Sequence, residues 1–219
     1  MRSPLAMPLL VLSTLAASPV LANEITVTAD VWADNWFAMY VNGEQVMEDS
    51  VPITTERSFN AESRTFQVSL PAQIAIVAMD FRENDTGLEY IGSRRQQMGD
   101  GGVIAQIRDA SSGQLLGATD GGARCLVVHR APVDRACERE RNPVAGQGVC
   151  GFEASAAPQN WTSANFNDGG WPQAVVHSAQ EVGPKDGYDR IRWDRSAELI
   201  WSQDLEQDNT ILCRFTIGE

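Results

Sequence analysis

Histidine is nearly missing from this sequence, and its scarcity narrows the chemistry. Only His129 and His177 occur. A Ser–His–acid hydrolase would have to use one of them, yet no G-x-S-x-G nucleophile elbow is present. The adjacency of His177 and Ser178 in the chain says nothing about geometry. His129 has no partner at zinc-ligand spacing, and the four cysteines contain no C-x-x-C pair. Positive charge is scarce too: 17 Lys and Arg stand against 29 Asp and Glu, for a net charge of −12 and a pI near 4.6. Nucleic acid and anionic membrane both need a basic face, so neither is expected as a partner. Beyond the N-terminus no apolar run approaches the roughly 18 residues of a membrane-spanning helix, so membrane insertion is not expected. The glycine-rich "MGDGG" (98–102) lacks the Lys-Ser/Thr and the following helix of a phosphate loop. The protein is therefore not expected to be an enzyme. Hydrolysis or elimination by paired carboxylates is the one catalytic route the composition leaves open.

What is present begins with residues 1–22: Arg2, the short apolar run "LAMPLLVLSTLAA", and small residues in "VLA" before Asn23. This pattern predicts a secretory signal peptide and an exported mature chain, periplasmic or extracellular. All four cysteines, Cys125, Cys137, Cys150 and Cys213, lie in that mature chain. In an oxidising compartment an even set argues for two disulfides, with three pairings open. The favoured pairing is Cys137 with Cys150, closing a loop, and Cys125 with Cys213, joining two strands.

Strand signals dominate the rest. "EITVTADV" (24–31) alternates apolar and polar residues, and "WFAMYV" (36–41) is apolar on both faces before Asn42-Gly43, a type I′ hairpin dipeptide. "TFQVSL" (65–70), "QIAIVAMDF" (73–81), "GVIAQIRD" (102–109), "QLLGAT" (114–119), "RCLVVH" (124–129), "AELIWS" (197–202) and "TILCRFTI" (210–217) bring the total to about nine strands. Helical periodicity is almost absent. Short strands parted by Gly, Asn, Asp and Pro turns predict an all-β antiparallel sandwich. Residues 23–219 read as a single domain with a disulfide-bearing loop insertion around 131–153.

Several of these stretches together resemble the galactose-binding-like jelly-roll domains. "TADVWADNWFAMYVNGEQV" is similar to the family's opening strand pair, and "GVIAQIRDASSGQLLGATDGGARC" to its next hairpin. "NWTSANFNDGGWPQA" (160–174) resembles its "W…FdDs.Wp.A" loop, and "AELIWSQDLEQDNTILCRFTI" (197–217) its closing strands. The resemblance covers nearly the whole mature chain in the family's order. It implies a jelly-roll sandwich of the non-catalytic kind found in glycosidases and carbohydrate-binding proteins. It also implies that Phe166 and Trp171 anchor a loop on the sandwich face while Asp168 caps its turn. The cysteine-bearing insertion is longer than the family pattern, and the module is expected to stand without a glycosidase domain.

Candidate site residues fall in three places. Asp34 and Asn35 precede the apolar strand 36–41 and are expected at its exposed end, with Trp32 the aromatic expected to stay in solvent. "PKDGYDRIRWDRSAELIW" (184–201) crowds Asp186, Tyr188, Asp189, Arg192, Trp193 and Asp194 into one loop. Sugars stack an apolar ring face on Tyr or Trp and hydrogen-bond to Asp, Asn or Arg, so this composition suits a glycan. "DFRENDTGLEY" (80–90) offers Asp80, Glu83 and Asp85 as oxygen ligands for calcium, the one cofactor the sequence suggests. Packing inside the fold or simple solvation competes with each reading. The expected function is an exported carbohydrate-binding, lectin-like module, with calcium assistance as an option. The alternative is a structural or protein-interaction subunit of a periplasmic or cell-surface assembly, presented by the insertion.

Overall fold

The alternation in "EITVTADV" does what a period of two requires: it sends Val27, Ala29, Val31 and Ala33 to one side of a strand and polar or aromatic residues to the other. A computed structural model describes residues 24–55 and 60–218. The expected signal peptide, residues 1–22, lies outside the described residues. The strands are β1 (Glu24–Asp34), β2 (Trp36–Val41), β3 (Glu44–Glu48), β4 (Ala61–Ser69), β5 (Ala72–Met79), β6 (Leu88–Glu89) and β7 (Gln97–Met98). They continue with β8 (Gly102–Asp109), β9 (Leu115–Ala118), β10 (Arg124–Arg130), β11 (Glu153–Ala154), β12 (Val175–His177), β13 (Leu199–Trp201) and β14 (Asp208–Ile217).

All pairings are antiparallel. The first sheet runs β12-β13-β8-β1-β4, with β9 also on β8, and the second runs β11-β10-β14-β5-β2-β3. The all-β antiparallel sandwich expected from the sequence is present as two packed sheets. Each of the nine expected strands has a counterpart, while β3, β6, β7, β11 and β12 were not anticipated. Four of those five are only two or three residues long, or carry exposed polar positions that blur the alternation. Between the sheets, the inward row of β1 meets Phe37 and Met39 of β2, Ile74 and Ile76 of β5, and Ile211 of β14. Each such side chain contributes about 1.5–3 kcal/mol through burial.

Strand β2 is apolar on both faces because both are covered. Phe37, Met39 and Val41 face the core, whereas Tyr40 packs edge-on against Trp161, which in turn lies beside Trp171. The loop carrying those tryptophans is pinned by Arg214, a fully buried arginine of β14. Its Nε donates to Asp168 Oδ2 at 2.8 Å, and its other nitrogens donate to the carbonyls of Trp161 and Phe166. Asp168 thus closes its turn through the backbone, where its carbonyl accepts from Trp171 N at 2.8 Å, while its carboxylate serves Arg214.

Both disulfides form in the favoured pairing. Cys125–Cys213 ties opposite positions of β10 and β14, and Cys137–Cys150 closes the insertion. Asn42 and Gly43 take φ of 50° and 99°, the pair of positive values a type I′ turn needs. No described helix is long and apolar enough to cross a membrane.

Candidate functional site

The residues that β1 and β8 turn away from the core form a row across the outer face of the first sheet. Register sets Asp30 opposite Gln106, Trp32 opposite Ile104 and Asp34 opposite Gly102. The segment 184–197 lies over this row. Trp32 and Ile104 are the floor of a second apolar cluster with Val182 and Leu199, roofed by Tyr188 and Trp193. Trp32 is 0% exposed, which corrects the expectation that it stands in solvent. Its Nε1 donates to the carbonyl of Asp186 at 3.3 Å, and its ring meets Tyr188 edge-on at 5.7 Å. Trp193 keeps one side half-exposed while its Nε1 donates to the Tyr188 carbonyl at 3.0 Å. The aromatic trio therefore acts as a mount for the loop. Only Trp193 reaches the open groove beside it.

That groove, with a cavity volume of about 760 Å³, sits at the Arg108 end of the row. Gln106, almost fully buried, organises its base: its Nε2 donates to Asp30 Oδ2 at 2.9 Å and to the Arg192 carbonyl at 3.2 Å, and its Oε1 accepts from Asp194 N at 2.7 Å. Asp30 Oδ1 also accepts from Ser63. Asp194 takes Arg108 on one oxygen at 2.8 Å and Ser196 on the other. The Ser196 and Arg108 hydrogen bonds pull its pKa down to about 2. Each oxygen of both carboxylates thus accepts at least one hydrogen bond. Arg190, Arg192 and Arg195 also line the groove, are exposed, and have no ion pair or side-chain hydrogen bond among the described residues. Of these groups the sequence singled out Arg192, Trp193 and Asp194. Gln106, Arg108, Arg190 and Arg195 were missed, and the only hint was the polar phase of β8. Asp186 and Asp189 are exposed on the same loop but do not line the groove.

The opposite end of the row is built from carboxylates under cover. Asp34 and Asn35 are each 1% exposed, correcting their expected place on an open edge. The peptide between them is cis. Asn35 N donates to the Met79 carbonyl at 2.9 Å, its Oδ1 accepts from Phe81 N, and Asp80 N donates to the Asn209 carbonyl at 2.9 Å. These bonds lock the ends of β2, β5 and β14 together. Neither oxygen of Asp34 or of Asp80 meets hydrogen-bond geometry with any protein group. Lys185, the only lysine in the sequence, holds its Nζ 3.8 Å from Asp34 and 3.9 Å from Asp100. Gly99 passes so close to Asp80 that a Cβ there would lie 2.0 Å from Oδ2. Burial raises the pKa of both aspartates well above the usual carboxylate value. The charge of Asp34 and then of Glu89 and Asp100 raises Asp80 further, while neighbouring Asn209 offsets part of it.

Asp80, Glu83 and Asp85 do not gather around one point, contrary to the calcium expectation. Glu83 accepts from Ile91 N, and Asp85 pairs with Arg82 and His129. Among the described residues no group of three or more His, Cys, Asp or Glu is placed to hold a metal ion. His129 is buried between Asp85 and Asn209, with Nε2 and Nδ1 at 3.2 and 3.0 Å, and burial followed by the nearby Arg82 lowers its pKa. His177 reaches the Ser202 carbonyl at 2.8 Å. Among the described contacts, neither imidazole meets a hydroxyl or thiol. No protein-family model, curated protein or solved structure matches the chain.

Proposed function

We propose that this protein is an exported, non-catalytic carbohydrate-binding module of the galactose-binding-like jelly-roll type, holding its glycan in the Trp193 groove. The observation that carries this reading is a concavity of ligand size whose polar groups are fixed in place by Gln106 and the Trp32–Tyr188–Trp193 mount. Preorganised side chains of this kind recognise hydroxyls with little ordering cost. A hydrolytic role at the groove is disfavoured, because two-carboxylate chemistry needs one acid with an elevated pKa. Asp194 is shifted the other way, and Asp30 has both oxygens engaged.

Retention on a glycan array, by the wild type and by Trp193→Ala, tests the reading. Binding that survives the substitution, or no retention at concentrations sensitive to weak association, counts against it. A chelator arm is expected to leave retention unchanged, since the groove presents guanidinium groups and an indole. Export is tested by fractionation and by N-terminal sequencing of the mature chain, expected to begin at Asn23.

A protein-interaction role is the second reading, favoured by one observation. Val133, Val144 and Phe152, all in or beside the disulfide-closed insertion, are large hydrophobic residues left exposed. Cross-linking in the native envelope fraction through a probe at Val144 should then capture a partner, and an uncross-linked monomer would remove this alternative.

A further inference from the structure

The groove's charge is opposite to that of the chain around it. Four arginines, Arg108, Arg190, Arg192 and Arg195, line it against two aspartates, while the whole sequence carries −12. By count the groove is net positive, and each oxygen of its two aspartates already accepts at least one hydrogen bond. Asp30 is occupied by Ser63 and Gln106, and Asp194 by Arg108 and Ser196. Arg108 is spent on Asp194 and the Gly113 carbonyl.

Arg190, Arg192 and Arg195 keep all their side-chain donors. Elsewhere Arg82, Arg130, Arg135 and Arg214 pair with acids, whereas Arg64, Arg94, Arg139 and Arg141 are exposed and unpaired among the described residues but line no groove together with an aromatic. In a chain with so large an excess of acids, three unpaired guanidinium groups within six residues of one groove call for acceptors from outside. A neutral sugar supplies only hydroxyls, whereas a carboxylate or sulfate matches the guanidinium fork with two parallel charge-assisted hydrogen bonds.

Resting on the glycan reading, we propose that the ligand is an anionic glycan, its sugar carboxylates or sulfate esters held by Arg190, Arg192 and Arg195 beside Trp193. The net negative chain repels a polyanion at long range, so recognition depends on the local field of the groove. Raising ionic strength from about 0.01 to about 0.15 M shortens screening from about 30 to about 8 Å, and changes both contributions in a readable way.

The test is calorimetry on the mature chain with four probes: oligogalacturonate, a sulfated oligosaccharide, the carboxyl-reduced neutral form of the first, and polyglutamate. The expected result is binding to at least one anionic sugar and at least tenfold weaker binding to the neutral form. The triple variant Arg190→Ala/Arg192→Ala/Arg195→Ala is expected to lose about tenfold in affinity for that sugar. Arg141→Ala in the insertion should keep wild-type affinity, and melting curves should show that both variants fold. The two anionic sugars separate carboxylate from sulfate recognition. Equal affinity for neutral and anionic sugars overturns this inference and leaves the glycan reading standing. Binding to no sugar overturns both. Polyglutamate bound as tightly as the best sugar overturns the assignment to glycans.

Discussion

The two ends of one sheet face handle carboxylates in opposite ways. At the Arg108 end, Asp30 and Asp194 are surrounded by donors, and positive groups are left over. At the Asp34 end, Asp34 and Asp80 are buried with no hydrogen-bonded donor among the described residues, and Lys185 stands 3.8 Å from Asp34. Both ends share the same two strands and the same covering segment. The difference is solvent: the groove stays open and its arginines remain available, while hydrogen bonds from Ser196 and Arg108 pull Asp194 down to about 2. The covered end shuts water out, so its acids favour the protonated form. An open end that is saturated suits recognition. A closed end that is unsatisfied suits pH sensitivity of the fold.

Removing the floor common to both ends should have the largest effect. Trp32→Ala takes a fully buried indole from under Tyr188 and leaves a cavity, at a cost of about 3–5 kcal/mol. Denaturant titration measures the loss, and glycan affinity should fall with it because the 184–197 segment loses its mount. A stability loss below about 1 kcal/mol would show that the segment does not depend on the indole.

Asp80→Asn should come next, and with the opposite sign. It removes a buried carboxyl that must either take up a proton or ionise without a hydrogen-bond donor, so stability at neutral pH should rise, by about 1–3 kcal/mol. The sign follows from proton linkage. A carboxyl whose folded pKa lies above 3.8 binds its proton more tightly when folded, so its contribution is full below that value and is lost as pH rises through the folded pKa. Asp34, Glu89, Asp100 and Lys185 are the charged groups that face Asp80 or its neighbour. Asp49, raised to about 6 mainly by burial, adds the same slope between about pH 4 and 6. Thermal melts of wild type and variant from pH 4 to 8 should therefore diverge as pH rises. Parallel curves would mean that Asp80 is ionised at no cost.

The sandwich was legible in the sequence because strand alternation is local. The phase of β1 and β8 states which residues face the space between the sheets, and it turns Trp32 to the other side. What the local pattern does not contain is where a loop goes. Trp32 is buried because a segment more than 150 residues later lies on it, held by Asp186 and by Gln106 bonds to Arg192 and Asp194. The same holds for Asp34 and Asn35, expected at an open edge: Lys185 and Asp100 reach Asp34 from distant loops, and Asn35 is tied to Met79 and Phe81. Composition did single out the loop 184–201, part of which lines the groove. It could not show that Asp186, Tyr188 and Asp189 stay off the groove while Arg108 from β8 joins it.

The smallest effect should come from Asp194→Asn, and it separates the two ends most directly. Asp194 is exposed, and its hydrogen bonds to Ser196 and Arg108 hold its pKa near 2. A lowered folded pKa contributes stability above 3.8 that is lost as pH falls toward 2, so the variant should melt slightly earlier at neutral pH, where Asp80→Asn melts later. The neutral amide can still accept from Ser196 and keep the backbone bond to Gln106, so the loop retains its path. It no longer neutralises Arg108, which joins the three free guanidinium groups. Affinity for oligogalacturonate should then rise a few-fold at low salt, with the gain shrinking as screening increases. If calorimetry instead shows weaker binding with unchanged salt dependence, Asp194 itself accepts from sugar hydroxyls, and the groove reads its ligand through hydroxyls more than through charge.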